Sequence, residues 1–131
     1  ATPEPTSIRD AYALIKVLSQ RSESPSFRVL INQASNKRVA ATALTQISSV
    51  AHQFLNLKIE GLGYLPVDAR ASQAIRKQEP LILAYPNSPA ARGIQMLAEA
   101  LLNDDAPIPG RRGLMEFVSR ILRSQGPTVV V

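Results

Sequence analysis

The sequence predicts an α/β fold built on a parallel sheet, and three observations carry that reading. Two short apolar runs, Phe27–Ile31 and Ile59–Leu65, have the length of strands and end at polar or turn residues: Asn32 after the first, Pro66-Val67-Asp68 after the second. Segments with a 3.6-residue apolar period alternate with them, which is βα material. Within Phe27–Ile31 only Arg28 interrupts the apolar run, as expected of a strand covered on both faces. In parallel sheets ligands sit just beyond the carboxyl ends of the strands. The ends at Asn32 and at Pro66–Asp68, with one helix between them, therefore read as part of a ligand crevice.

Taken in order, Ala1–Ser7 with its two prolines is a loop, and Ser7 followed by Asp10 is a capping-box-like start. The first helix runs to about Gln20 with Ile8, Ala11, Tyr12, Ile15 and Leu18 on one face. Arg21–Ser26 is a polar loop, Phe27–Ile31 a strand and Asn32–Asn36 a loop. A long helix covers Arg38–Leu55, with Val39, Ala43, Leu44, Ile47, Val50, Ala51 and Phe54 inward. Ile59–Leu65 is the next strand. Its glycines, Gly61 and Gly63, let neighbouring elements come close. Asp68 or Ala69 opens a short helix holding Ala71, Ala74 and Ile75, which Gln78-Glu79-Pro80 ends. Leu81–Ala84 reads as extended. Ser88-Pro89 is an N-cap followed by proline at the first helical position. The helix it opens runs to about Leu102, with Ala90, Ile94, Leu97, Ala98 and Leu101 inward. Asn103–Gly110 is a linker, Arg112–Ser124 a last helix, and Thr128–Val131 an apolar tail. Two or three strands make a thin sheet. The opening at Ala1 looks like the downstream end of a preceding strand, so part of a larger domain is expected upstream.

Composition bounds the chemistry. The 131 residues hold no cysteine, which excludes disulfides and thiolate metal sites, and the single histidine, His52, cannot build a histidine metal site. No run reaches the roughly 18 apolar residues of a membrane span. A formal charge of +5 favours anionic partners without naming one. From Ala106 onward Arg111, Arg112, Arg120 and Arg123 face a single acid, Glu116.

Catalytic patterns are absent. His52 lies inside a helical run and reads as a partly exposed helix residue, and Asp104-Asp105 sits in the linker. There is no G-x-x-x-x-G-K-[ST] loop, and Gly61-x-Gly63 lacks the third glycine of a dinucleotide fingerprint. Asn32 and Pro66-Val67-Asp68 remain. An amide and backbone groups at strand ends can read the edge of a planar base. Alternatively, Asn32 is a turn residue and Asp68 a helix N-cap.

The last helix carries the clearest pattern. At about 100° per residue, Leu114, Met115, Phe117, Val118, Ile121 and Leu122 share an arc of roughly 160°. Glu116, Ser119, Arg120, Arg123 and Ser124 fill the opposite arc. Such a helix either lies in a membrane interface, its arginines over anionic headgroups, or packs on the domain core. The preceding linker and the clustered arginines favour the membrane. At about 13 residues the attachment is expected to be weak and reversible, needing two copies.

Thr2-Pro3-Glu4-Pro5-Thr6-Ser7-Ile8, continuing through Asp10-Ala11-Tyr12-Ala13-Leu14-Ile15-Lys16, resembles the segment after the switch II strand of MinD/ParA-class ATPases. The match is best to their flagellar-number branch, the FlhG/FleN proteins. Val29–Ala34 is similar to that branch's strand ending in the adenine-side asparagine. Gly63–Asp68, followed by Ala74-Ile75-Arg76-x-Gln78-x-Pro80, resembles its Pro-x-Asp adenine loop and the helix after it. Tyr85–Ala91 fits the next helix start, and the basic amphipathic helix looks like the family's membrane-targeting sequence. Many MinD relatives have Asn-Arg where this chain has Asn32-Gln33.

The resemblance implies a P-loop NTPase-like fold of MinD/ParA type, of which this is the C-terminal portion. Residues 1–103 would be the C-terminal part of the α/β domain, 104–110 a linker, 111–124 a membrane-targeting helix and 125–131 a tail. Asn32, Pro66, Val67 and Asp68 would contact adenine. Pro3, Glu4 and Pro5 would face the partner subunit of an ATP-sandwiched homodimer. Arg111, Arg112, Leu114, Phe117, Val118, Arg120, Ile121, Leu122 and Arg123 would meet the membrane. ATP with Mg would be the cofactor of the whole protein. Because the phosphate loop and switch aspartates are not in this chain, no ATPase activity and no tight ATP binding is expected of it alone. Implied partners are a FlhF-type GTPase, flagellar switch or C-ring proteins, or a flagellar master regulator. The implied location is the cytoplasm, reversibly at the inner face of the cell membrane. A reading of another class is a stand-alone interaction or adaptor module that kept the fold without nucleotide chemistry. A nucleic-acid binder fits poorly, with few aromatics and no basic groove pattern.

Overall fold

The computed structural model describes residues 1–21, 25–103 and 129–130. The elements run α1 (Pro5–Ser19), β1 (Phe27–Ala34), α2 (Lys37–Leu55), β2 (Ile59–Pro66), α3 (Ala69–Lys77), α4 (Leu81–Ala84), α5 (Pro89–Asn103) and β3 (Val129–Val130). The sheet order is β2-β1-β3, and both pairings are parallel. The fold is therefore α/β with a parallel sheet, as the alternation predicts. The tail contributes the third strand, pairing Val129 with Phe27 and Val130 with Arg28. Ala1 also joins β1: its N–H donates to the Leu30 carbonyl at 3.0 Å, and its carbonyl accepts from the Asn32 N–H at 2.6 Å.

The helix α1 is capped three residues before the expected Ser7. Glu4 is its N-cap and Pro5 its first residue, where a fixed φ and a missing N–H cost nothing. Ser7 lies inside the first turn, and its hydroxyl accepts from the Thr2 N–H at 2.9 Å. Ala11 and Ile15 are the residues of α1 that reach full burial. At the start of α2, Asn36 Oδ1 accepts from the Val39 N–H at 3.0 Å. Ala40, Ala43, Ile47 and Ala51 form its buried face. Phe54, expected inward, is 65% exposed; Leu55 is the residue of the last turn that packs against the core. Periodicity gives a direction, not the presence of a neighbour in that direction.

One core cluster joins α1, β1 and α2 through Ala11, Ile15, Phe27, Val29, Ile31, Ala34, Ala40, Ala43 and Ile47. Phe27, Val29 and Ile31 are buried while Arg28 and Leu30 are half-buried, so β1 is less evenly covered than its continuous apolar run suggests. It also continues past the expected Ile31 to Ala34, through an irregularity after Ile31.

The strand β2 changes face midway. Val29 pairs with Gly61 but Leu30 pairs with Gly63, so Leu62 is an extra residue, a β-bulge. Before the bulge, Ile59 packs on the core cluster and Gly61 lies under Leu44 of α2. After it, Gly63 (φ +134°) lies under Leu97, and Leu65 lies against Gly93, both on α5. The glycines thus admit close neighbours, one helix on each side of the strand.

Three further expectations are corrected. Leu81–Ala84 is a helical turn: the Leu83 and Ala84 N–H groups both reach the Pro80 carbonyl, at 3.0 and 2.9 Å. In four residues an i→i+4 turn and an extended segment share one apolar pattern. Ile75 is 76% exposed, and α3 is anchored by Ala74. On α5, Ala90 and Ala91 are buried, Leu97 and Leu101 half-buried, and Ile94 and Ala98 exposed. Here the close approach at Gly63 and Gly93 turns the contact stripe towards the helix start. The expected linker at 104–110 and amphipathic helix at 111–124 lie outside the described residues.

Candidate functional site

The carboxyl ends of β1 and β2 lie side by side. Ala34 pairs with Pro66, and the Val67 N–H donates to the Ala34 carbonyl at 3.3 Å. This brings the two expected base-reading stretches, Asn32 and Pro66–Asp68, to one edge of the sheet. Asn32 and Gln33 are exposed, Pro66 and Asp68 are half-buried, and Val67 is 64% exposed. Asn32 Oδ1 accepts from the Gln33 N–H at 2.9 Å. Gln33 takes a left-handed conformation, φ 56°, which non-glycine residues adopt at a cost. Asn32 nevertheless lies within β1, its N–H held by the Ala1 carbonyl at 2.6 Å, and not in the turn that its alternative reading gives it; the bend follows at Ser35–Asn36.

Asp68 is also a cap, and caps more than one helix. Its Oδ1 accepts from the Arg70 N–H at 2.9 Å, at the start of α3. Its Oδ2 accepts from the Ala90 N–H at 2.9 Å, in the first turn of α5. Ser88, the expected N-cap of α5, accepts from the Ala91 N–H at 3.2 Å. The Ala90 N–H is the largest of the influences that hold the Asp68 carboxyl below its ordinary pKa, with Arg70 and Ser88 adding to it against partial burial. All buried side-chain polar atoms among the described residues have partners.

Behind the loop, Tyr85 carries two cations. The Arg70 guanidinium lies 5.0 Å and the Lys77 ammonium 5.4 Å from its ring centroid. The Tyr85 hydroxyl is the main cause of an upward shift at Lys77. Neither this cluster nor the Asp68–Ala90 link is foreshadowed in the sequence, since their members lie eight to 22 residues apart with no local pattern joining them.

Pro3 is half-buried beside Arg38, Val39, Thr42 and Gln46 of α2. Glu4 and Pro5 are exposed at the start of α1. The expected membrane residues Arg111–Arg123 lie outside the described residues. His52 is exposed on α2, as expected. Among the described residues no group of His, Cys, Asp or Glu is placed to hold a metal, and no helix is long and apolar enough to cross a membrane.

Set beside known proteins, the chain is 34% identical to the antiactivator FleN of Pseudomonas aeruginosa over 122 residues, 92% of its own length. It is 26% identical over 121 residues to an uncharacterised ATP-binding protein of Methanocaldococcus jannaschii. It spans 43% of each relative. No protein-family model matches it.

Proposed function

We propose, from a chain that is FleN-like over nearly its whole length, that it forms the base-recognising part of a MinD/ParA-class ATPase switch regulating flagellar number and placement. The observation that carries the proposal is the paired strand ends: the Ala34–Val67 hydrogen bond sets Asn32 beside Pro66–Asp68 on one exposed edge. The ATP-binding description of the archaeal relative supports a nucleotide as the ligand. In the intact protein, Asn32 and the Pro66–Asp68 loop line the adenine of ATP. The phosphates and Mg are held by residues outside this chain, which contains no lysine-bearing glycine loop.

The remaining parts follow from the same reading. ATP favours a homodimer with Pro3, Glu4 and Pro5 towards the partner subunit. The arginine-flanked apolar arc of 111–124 attaches the paired molecules to an anionic membrane, placing the protein in the cytoplasm and reversibly at the inner membrane face. FleN's description as an antiactivator supports a transcription activator among the partners.

The test is titration of the intact protein with ATP. Asn32→Ala is expected to weaken binding about tenfold, a loss of about 1.4 kcal/mol; unchanged affinity refutes the base site. Sedimentation with anionic vesicles, with and without residues 111–131, tests attachment, and equal binding removes that part.

A further inference from the structure

Asp68 is the one residue of the candidate base loop whose side chain is already committed elsewhere. Its two oxygens accept from the first turns of two different helices, α3 at Arg70 and α5 at Ala90, both at 2.9 Å. The partners lie two and 22 residues away in the chain. A carboxylate is an acceptor with two oxygens, and helix N-termini supply otherwise unpaired N–H donors with a favourable dipole. Turning this carboxylate towards a base would take the acceptor from the Arg70 and Ala90 N–H groups, leaving α5 capped by Ser88 alone. Backbone bonds also tie the loop: the Val67 N–H donates to the Ala34 carbonyl at 3.3 Å and the Ala71 N–H to the Asp68 carbonyl at 3.1 Å.

We propose that Asp68 is a positioning residue: it clamps the base loop to α3 and α5 through its carboxylate and does not itself read the base. This rests on the nucleotide reading given above. Recognition of the base edge then falls to the Asn32 amide and the Pro66–Val67 backbone, which the clamp holds in place. Because α5 hangs from the same carboxylate as the loop, the start of α5 and the base site are mechanically one unit.

The discriminating probe is the pair ATP and ITP, which differ at the six-position of the base: an amine in one, a carbonyl in the other. In the intact protein, Asp68→Ala and Asp68→Ser are expected to weaken both nucleotides by the same factor, about tenfold, leaving their ratio within about twofold of the wild-type ratio. Asp68→Ser retains a cap for α3 and so protects against a variant that fails to fold. Asn32→Ala is expected to change the ratio. If either Asp68 variant brings the ATP and ITP affinities together, Asp68 reads the amine and the proposal is overturned. The clamp itself is read without nucleotide, by hydrogen exchange at the Ala90 amide. Exchange about tenfold faster in Asp68→Ser supports it, and an unchanged rate sinks it. A wild-type protein that binds neither nucleotide refutes the base-site reading alone, because the exchange measurement still decides the clamp.

Discussion

Leu44 of α2 lies directly over Gly61 of β2, so closely that a methyl group at residue 61 would overlap the Leu44 Cδ2 atom. Gly61→Ala is therefore expected to destabilise the fold by about 1–3 kcal/mol through overpacking. Adding Leu44→Ala should return part of that loss, so the double variant should be more stable than the sum of the singles. Urea unfolding of the four members of the cycle measures the coupling. Strictly additive losses would mean that the two side chains do not compete for one space.

The Asp68 carboxyl titrates below its ordinary value, chiefly because it accepts from the Ala90 N–H. A depressed carboxylate contributes stability that is complete above the unfolded pKa, about 3.9, and is lost as pH falls through the lower folded value. Asp68→Asn lacks that contribution. The stability gap between wild type and Asp68→Asn should be about 1 kcal/mol near pH 6 and should shrink below about pH 4. Denaturant midpoints for both proteins across this range check it; a gap that widens in acid contradicts the sign.

Gln33 and Gln78 share a left-handed backbone, φ 56° and 58°. Gln78 closes α3, a position that glycine fills without strain. Glycine at either site is expected to raise stability by up to about 1 kcal/mol. The two should differ in binding: Gln33→Gly loosens the backbone beside Asn32 and weakens ATP, whereas Gln78→Gly leaves affinity unchanged. Thermal melts and nucleotide titration of both variants test this.

Ile47 is fully buried and Phe54 is 65% exposed on the same helix. Ile47→Ala should cost about 2–5 kcal/mol, and Phe54→Ala less than about 0.5 kcal/mol. A large loss at Phe54 in the isolated chain would show that the last turn of α2 is packed after all.

Much of this architecture is legible in one dimension because its signals are local. Ser88-Pro89 marks the start of α5, Pro66-Val67-Asp68 the end of β2, and the two strands are visible as apolar runs. The alternative reading of Asp68 as a cap is also correct. What local pattern cannot supply is the second half of that cap, since the Ala90 N–H arrives from 22 residues away. The burial errors have a related cause. Ile75 and Phe54 sit at apolar phases of their helices, but whether a neighbour stands opposite is decided by tertiary geometry. Leu81–Ala84 is short enough that its backbone follows Pro80 and Tyr85 rather than its own composition.

The strand β1 is completed by distant partners. Phe27 pairs with Ile59, 32 residues on, and with Val129, 102 residues on. Closing the longer loop costs more chain entropy, and widely separated pairings slow folding. Refolding is therefore expected to assemble the unit β1–α2–β2 before the Val129–Val130 pairing forms.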